Sequence, residues 1–180
     1  MQPASVKQAR VKPSTLPTIE IRYALPDDFM TLSVKEICNV PFKGHQIQAR
    51  LLKVIDGDTI SVAIYCGHAL KISVRLDGID TPELHPKGQD LVGEALAAQK
   101  VRDYVSQLYT VDSLVTIKLL KVDKYGGRYV GHIYMDNGDT TVRPEGETLS
   151  DHLLARGYAK KYDGRAKPPW RASDFDAINK

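Results

Sequence analysis

The sequence predicts an α+β domain that is mainly β: a five-stranded, partly open Greek-key barrel of the OB-fold type with helices at its flank. Three observations predict it: period-two apolar patterning that begins at Gln46, one long segment of helical periodicity in mid-chain, and a short helical segment after two further strand-like runs. With 180 residues, the chain has room for one core and its flanking segments.

The first strand runs from Ile47 to Ile55. In the second, Ile60, Val62 and Ile64 alternate with Ser61 and Ala63; in the third, Leu70, Ile72, Val74 and Leu76 alternate with Lys71, Ser73 and Arg75, with the turn at Gly67-His68. Val115, Ile117 and Leu119 alternate with Thr116 and Lys118, and a fifth strand spans Arg128 to Met135 ahead of an Asn137-Gly138 turn. Leu91, Ala95, Ala98, Val101, Val105 and Leu108 recur at helical spacing behind an N-cap at Asp90. Thr148-Leu149-Ser150-Asp151 opens the second helix as a capping box, and Gly157 stops it.

Around the barrel domain, placed at residues 46–165, the chain divides by composition. Residues 1–18, with Lys7, Arg10 and Lys12 unmatched by acids, read as a disordered basic tail. Residues 19–45 mix short apolar runs with Pro26, Pro41 and Gly44; a leader draped over the barrel is expected, with a protein-binding segment as the alternative. Residues 166–180 form a C-terminal tail whose Lys167-Pro168-Pro169-Trp170 is expected to pack back on the barrel.

Apolar residues at 42% and charged ones at 26% match ordinary globular usage, which excludes a fibre or wholesale disorder. No run reaches the ~20 apolar residues of a membrane span. The N-terminus lacks a signal peptide's apolar stretch, and Gln2 stands where myristoylation needs glycine, so a cytoplasmic location is expected. Cys38 and Cys66 give no framework of bridges, and two separate buried thiols are expected. A net charge of +3 is too small to hold nucleic acid by charge alone, so any polyanion would be held locally and briefly, as an enzyme holds a substrate.

Three blocks carry chemistry: Ile55-Asp56-Gly57-Asp58-Thr59, Val74-Arg75-Leu76-Asp77-Gly78-Ile79-Asp80-Thr81-Pro82-Glu83, and Asp123-Lys124-Tyr125-Gly126-Gly127-Arg128. Arg75 falls on the polar side of its strand, free to face a ligand, and Asp80 and Glu83 follow in a loop stiffened by Pro82. Asp58 starts the neighbouring strand and can reach that loop. Two carboxylates ~4 Å apart repel by roughly 4 kcal/mol at an effective dielectric near 20, which a hard divalent cation relieves. Glu83 could then orient or deprotonate a water. Taken singly, each block has a plainer reading: Asp56-Gly57 as a turn, Arg75 as a surface arginine, the third block as a polar hairpin loop.

Together, in this order and spacing, the blocks resemble the staphylococcal-nuclease family over about residues 46–161. The resemblance implies a calcium-dependent endonuclease that cuts DNA and RNA with little sequence preference and leaves 3′-phosphate ends. It implies metal binding by Asp58, Asp80 and Thr81, catalysis by Arg75, Glu83 and Arg128, and substrate contacts from Lys124, Tyr125 and Tyr162. Magnesium or manganese in place of calcium stays open, and a monomer acting on nucleic acid is expected. Gly126-Gly127 sets Arg128 one residue later than the family pattern, and a bulging loop is expected to absorb the shift. The alternative is an inactive barrel of the same family serving as a nucleic-acid or protein-binding module. The complete acidic and arginine set favours the enzyme. The five histidines are scattered without zinc spacing, and no Gly-x-Ser-x-Gly elbow occurs.

Overall fold

The computed structural model describes residues 33, 39–87, 91–124, 126–135, 146–167 and 169–180. The basic tail, most of the leader, the Asp90 cap, Tyr125 and the Asn137-Gly138 turn lie outside them. The chain divides into two units, Met1–Ile37 and Cys38–Lys180, and every element below belongs to the second.

The strands are β1 (Gln46–Val54), β2 (Thr59–Tyr65), β3 (Ala69–Leu76), β4 (Ile79–Asp80), β5 (Leu114–Val122), β6 (Tyr129–Ile133) and β7 (Lys160–Lys161); the helices are α1 (Leu91–Leu108), α2 (Leu149–Ala155) and α3 (Ala172–Asn179). Five strands close a barrel in the order β1-β2-β3-β6-β5. The ring is shut by parallel pairing of Val74, Arg75 and Leu76 with Tyr129, Val130 and Gly131, so the barrel is closed where the sequence suggested a partly open one. The expected alternation fills it: Leu51, Val62, Ile64, Val74, Leu76, Ile117, Leu119 and Ile133 are buried. The β2–β3 hairpin turns at Gly67, whose φ of 87° suits glycine.

On one flank α1 presents Ala97, Ala98, Val101 and Val105 inward, and α3 packs against α1 with Phe175 and Ile178 buried. This third helix stands where a C-terminal tail was expected. Thr148 caps α2 as read from sequence: its hydroxyl accepts from the Asp151 N–H, and Asp151 accepts from the Thr148 N–H. Val40 is buried in the core and the Gly44 N–H donates to the Leu119 carbonyl at 2.9 Å, so residues 40–44 belong with the barrel. Cys66 is exposed, which corrects the expected burial: it follows Tyr65 at the hairpin tip, beyond the reach of the core. Cys38 lies outside the described residues. Among the described residues no helix is long and apolar enough to cross a membrane.

Candidate active site

The turn between β1 and β2 delivers Asp58. The Ile55 and Asp56 N–H groups both donate to the Thr59 carbonyl, and the Asp56 side chain accepts from the Asp58 N–H at 3.1 Å. Gly57 is therefore part of a turn, as its sequence suggests, and it is also tightly enclosed. A Cβ at this position would lie 2.8 Å from both Thr81 Oγ1 and Val101 Cγ1. Only glycine lets the Asp58 turn sit this close to α1 and to the Thr81 loop.

Strand β3 delivers Arg75, which pairs across the ladder with Thr59, next to Asp58. Asp80 lies on β4, locked by pairing with Lys160 of β7. The result is an ion triad in which Arg75 Nη2 is 2.8 Å from Asp58 Oδ2 and 3.3 Å from Asp80 Oδ1. Both aspartates are buried, at 5% and 1% exposure, so water does little to screen them. Burial is the largest influence on Asp58 and pushes its carboxyl up to about 7, with Asp56 adding to the rise and Arg75 and the Thr59 hydroxyl opposing it. Burial pulls the Arg75 guanidinium down, but Asp58, Asp80, Asp56 and Asp123 together hold it above its ordinary value.

The rise at Asp58 has a consequence for stability. A carboxyl raised on folding favours the folded state in its protonated form, a contribution present below its ordinary value near 3.8 and lost as pH rises through about 7. Thermal melts in chelator at pH 5 and pH 8 are expected to show a larger drop in Tm for the native protein than for Asp58→Asn. Equal drops would refute the assignment.

Glu83 does not join the triad directly. Its backbone N–H donates to Glu94 of α1 at 3.1 Å, and its carboxylate is bonded by Lys167, whose ammonium also lies 3.0 Å from Asp80 Oδ1. Burial pulls Lys167 down, but its hydrogen bonds to Glu83 and Asp80 carry it above its ordinary value. Trp170 closes the other side, its indole N–H donating to Asp80 Oδ2 at 3.0 Å. Lys160 stands 4.6 Å from the centre of the Trp170 ring and also bonds Asp174 and the Pro169 carbonyl, while Phe175 stacks on the indole. Lys167 and Trp170 are thus residues of the site that the motif reading left as packing. The signal available was the chain's one tryptophan three residues after a lysine.

A cleft of about 440 Å³ opens beside the triad, lined by Arg75, Lys121, Lys124, Tyr162, Asp163 and Lys167 among others. The Tyr162 ring centre is 5.8 Å from the Arg75 guanidinium carbon, and Lys124 bonds the Gly164 carbonyl at 2.7 Å and approaches the Tyr162 hydroxyl at 3.5 Å. The structure therefore gathers Asp58, Arg75, Asp80, Thr81, Glu83, Lys124 and Tyr162 in one region, with Thr81 buried beside the Gly57 turn. Tyr125 lies outside the described residues.

Arg128 is placed differently. The two glycines before it both adopt positive φ, 72° and 69°, and the turn closes with the Asp123 N–H on the Arg128 carbonyl. Arg128 falls just before β6 rather than within it, its guanidinium is held by Asp123 at 2.7 Å, and it lines a separate groove with Lys71 and Tyr129. Among the described residues Asp123, not Asp58 or Asp80, is the carboxylate on Arg128.

A small closed barrel with two buried aspartates on one arginine, beside a cleft rimmed by lysines and a tyrosine, defines a β-barrel protein with a polar site at one mouth. The profile of the staphylococcal nuclease homologues matches residues 73–179, and the chain belongs to that family. It is also 29% identical over 129 residues to an uncharacterized protein, MJ1439, of Methanocaldococcus jannaschii; the match covers 63% of this chain and 58% of that protein. The chain thus spans less than two thirds of that relative's length.

Proposed function

We propose that this protein is a calcium-dependent endonuclease, hydrolysing phosphodiester bonds of DNA and RNA with little sequence preference and leaving 3′-phosphate ends. The observation that carries the reading is Arg75, held between Asp58 and Asp80 at the wall of a cleft that Lys124 and Tyr162 also line. The donor chemistry suits a hard divalent ion. Asp58 and Asp80 offer carboxylate oxygens converging on one guanidinium nitrogen, and Thr81 adds a backbone carbonyl next in the chain. Among the described residues no third acid, histidine or cysteine completes a metal-holding group, so the carbonyl and waters would supply the remaining ligands. When bound, calcium (or magnesium or manganese in its place) supplies Lewis-acid polarisation of a phosphate oxygen.

The chain's own residues do the rest. Arg75 donates to the scissile phosphate and offsets charge as it builds there. Glu83 takes a proton from the attacking water as its oxygen bonds to phosphorus; the bond to the 5′-oxygen breaks, that oxygen takes up a proton from water to become a hydroxyl, and the phosphate stays on the 3′ side. Lys124 and Tyr125 hold the nucleotide's terminal phosphate, Tyr162 contacts the nucleotide, and Arg128 serves as second guanidinium once released from Asp123. The protein works as a monomer.

Cleavage of single-stranded DNA in calcium, abolished by chelator, with end-group analysis of the products, tests the reading. Glu83→Gln is expected to slow cleavage by about 10²–10⁴-fold while leaving the fold intact; an unchanged rate would remove Glu83 from the mechanism. A binding module is the second reading, favoured by the engagement of Glu83 with Lys167 and of Arg128 with Asp123. Retention of DNA without calcium-dependent cleavage would establish it.

A further inference from the structure

We infer that Lys167 is a resident counter-ion that competes with the divalent cation, so that this C-terminal lysine sets the affinity of the site. The inference rests on the calcium reading above. Every oxygen of Asp80 that could face an ion already carries a donor from the chain: Oδ1 has Arg75 and Lys167, and Oδ2 has Trp170. Lys167 bridges from Asp80 to Glu83, adding a second cation beside Arg75 where these carboxylates come together. An ammonium and a divalent ion on the same carboxylate repel each other, so each weakens the other's hold.

The two donors from the C-terminal segment differ in how easily they leave. Trp170 is clamped by the Phe175 stack, and its neighbour Pro169 by Lys160, which also grips Asp174; α3 itself packs on α1. Among the described residues Lys167 has no such clamp beyond Asp80 and Glu83 themselves. Its side chain is 45% exposed on a flexible four-carbon stem, so rotation about side-chain bonds frees the ammonium without moving the helix. Once free, it remains at a cleft lined also by Lys121 and Lys124, where a phosphate would meet it. A single lysine thus exchanges carboxylate partners for the substrate when the ion arrives.

Calcium titration of the full chain by calorimetry tests this, with emission from Trp170, the only tryptophan, as a second readout. Lys167→Gln is expected to bind calcium about five- to ten-fold more tightly than the native protein, since it removes a partly exposed ion pair to two carboxylates. Lys167→Met repeats the test with a second neutral side chain, and circular dichroism confirms that each variant is folded. Lys167→Arg is expected to bind as the native protein does. Lys161→Gln, which removes the same charge from the neighbouring strand, is expected to change affinity by less than about two-fold. Equal or weaker binding by the neutral Lys167 variants would overturn the inference while leaving the calcium reading standing, and so would a gain of the same size from Lys161→Gln. Absence of calcium binding in every protein, the native one included, would overturn both.

Discussion

Replacing Arg75 with alanine is expected to cut calcium-dependent cleavage of single-stranded DNA by about 10²–10³-fold, the usual cost of losing one preorganised donor at a developing charge. Arg75 serves two purposes that this substitution separates. Toward substrate it is, among the described residues, the one guanidinium lining the cleft beside both aspartates. Toward the fold it is the partner of Asp58 and Asp80, each nearly inaccessible to water. Taking one member out of a buried charge cluster typically costs about 3–5 kcal/mol, because the charges left behind lose their compensation. Thermal melts of Arg75→Ala in chelator should therefore show a clear loss, and calcium should restore part of it by taking the guanidinium's place as counter-charge. Arg75→Lys keeps charge but not the planar fork, and is expected to recover stability better than rate. An Arg75→Ala protein that cleaves at the native rate would remove the central residue from the mechanism.

The second large effect is on the barrel. Gly131 lies on β6 opposite Leu119 of β5 and Leu76 of β3, where the parallel pairing shuts the ring. A Cβ built there would lie 2.4 Å from the Lys118 carbonyl oxygen and 3.3 Å from Leu119 Cα. Both obstacles are backbone, held in register by the β5–β6 ladder, so neither can rotate aside as a side chain would. Gly131→Ala is expected to destabilise the domain by about 3 kcal/mol, roughly 6–12 °C in Tm. The Gly131 carbonyl also accepts from the Asp77 N–H at 2.9 Å, at the head of the loop that carries Asp80, so activity should fall further than the lost folded fraction explains. An unaltered melt would mean that the strands part more easily here than their pairing indicates.

Much of this architecture was legible because buried strands leave a period-two record: Ile60-Val62-Ile64 and Val115-Ile117-Leu119 point inward as their alternation predicts. Closure of the ring was not legible, since the pairing of β3 with β6 is a tertiary event between segments more than fifty residues apart. Helix α3 escaped because eight residues carrying Phe175 and Ile178 as buried anchors make too short a stretch for periodicity to speak. The two-residue strands β4 and β7 have no pattern of their own, yet they fix Asp80. In the site, Asp58, Arg75 and Asp80 could be grouped from a hairpin and the loop after it. Lys167 and Trp170 meet Glu83 and Asp80 across 84 and 90 residues, a distance over which local sequence holds no information. Arg128 shows the reverse: its place in a motif was plain, and the loop geometry that hands it to Asp123 was not.

The tight seat of Gly57 against Val101 makes α1 a mechanical brace for the carboxylate turn. Val101 is none of the residues proposed to hold an ion or a nucleotide, yet its methyl abuts the Gly57 turn that carries Asp58. Trimming that side chain, as in Val101→Ala, would let the turn relax by a few tenths of an ångström and, on the proposed calcium reading, shift which ionic radius its oxygens favour. On that reading, laboratory evolution toward a different ion would be expected to select changes on the hidden face of a helix rather than among the proposed ligands.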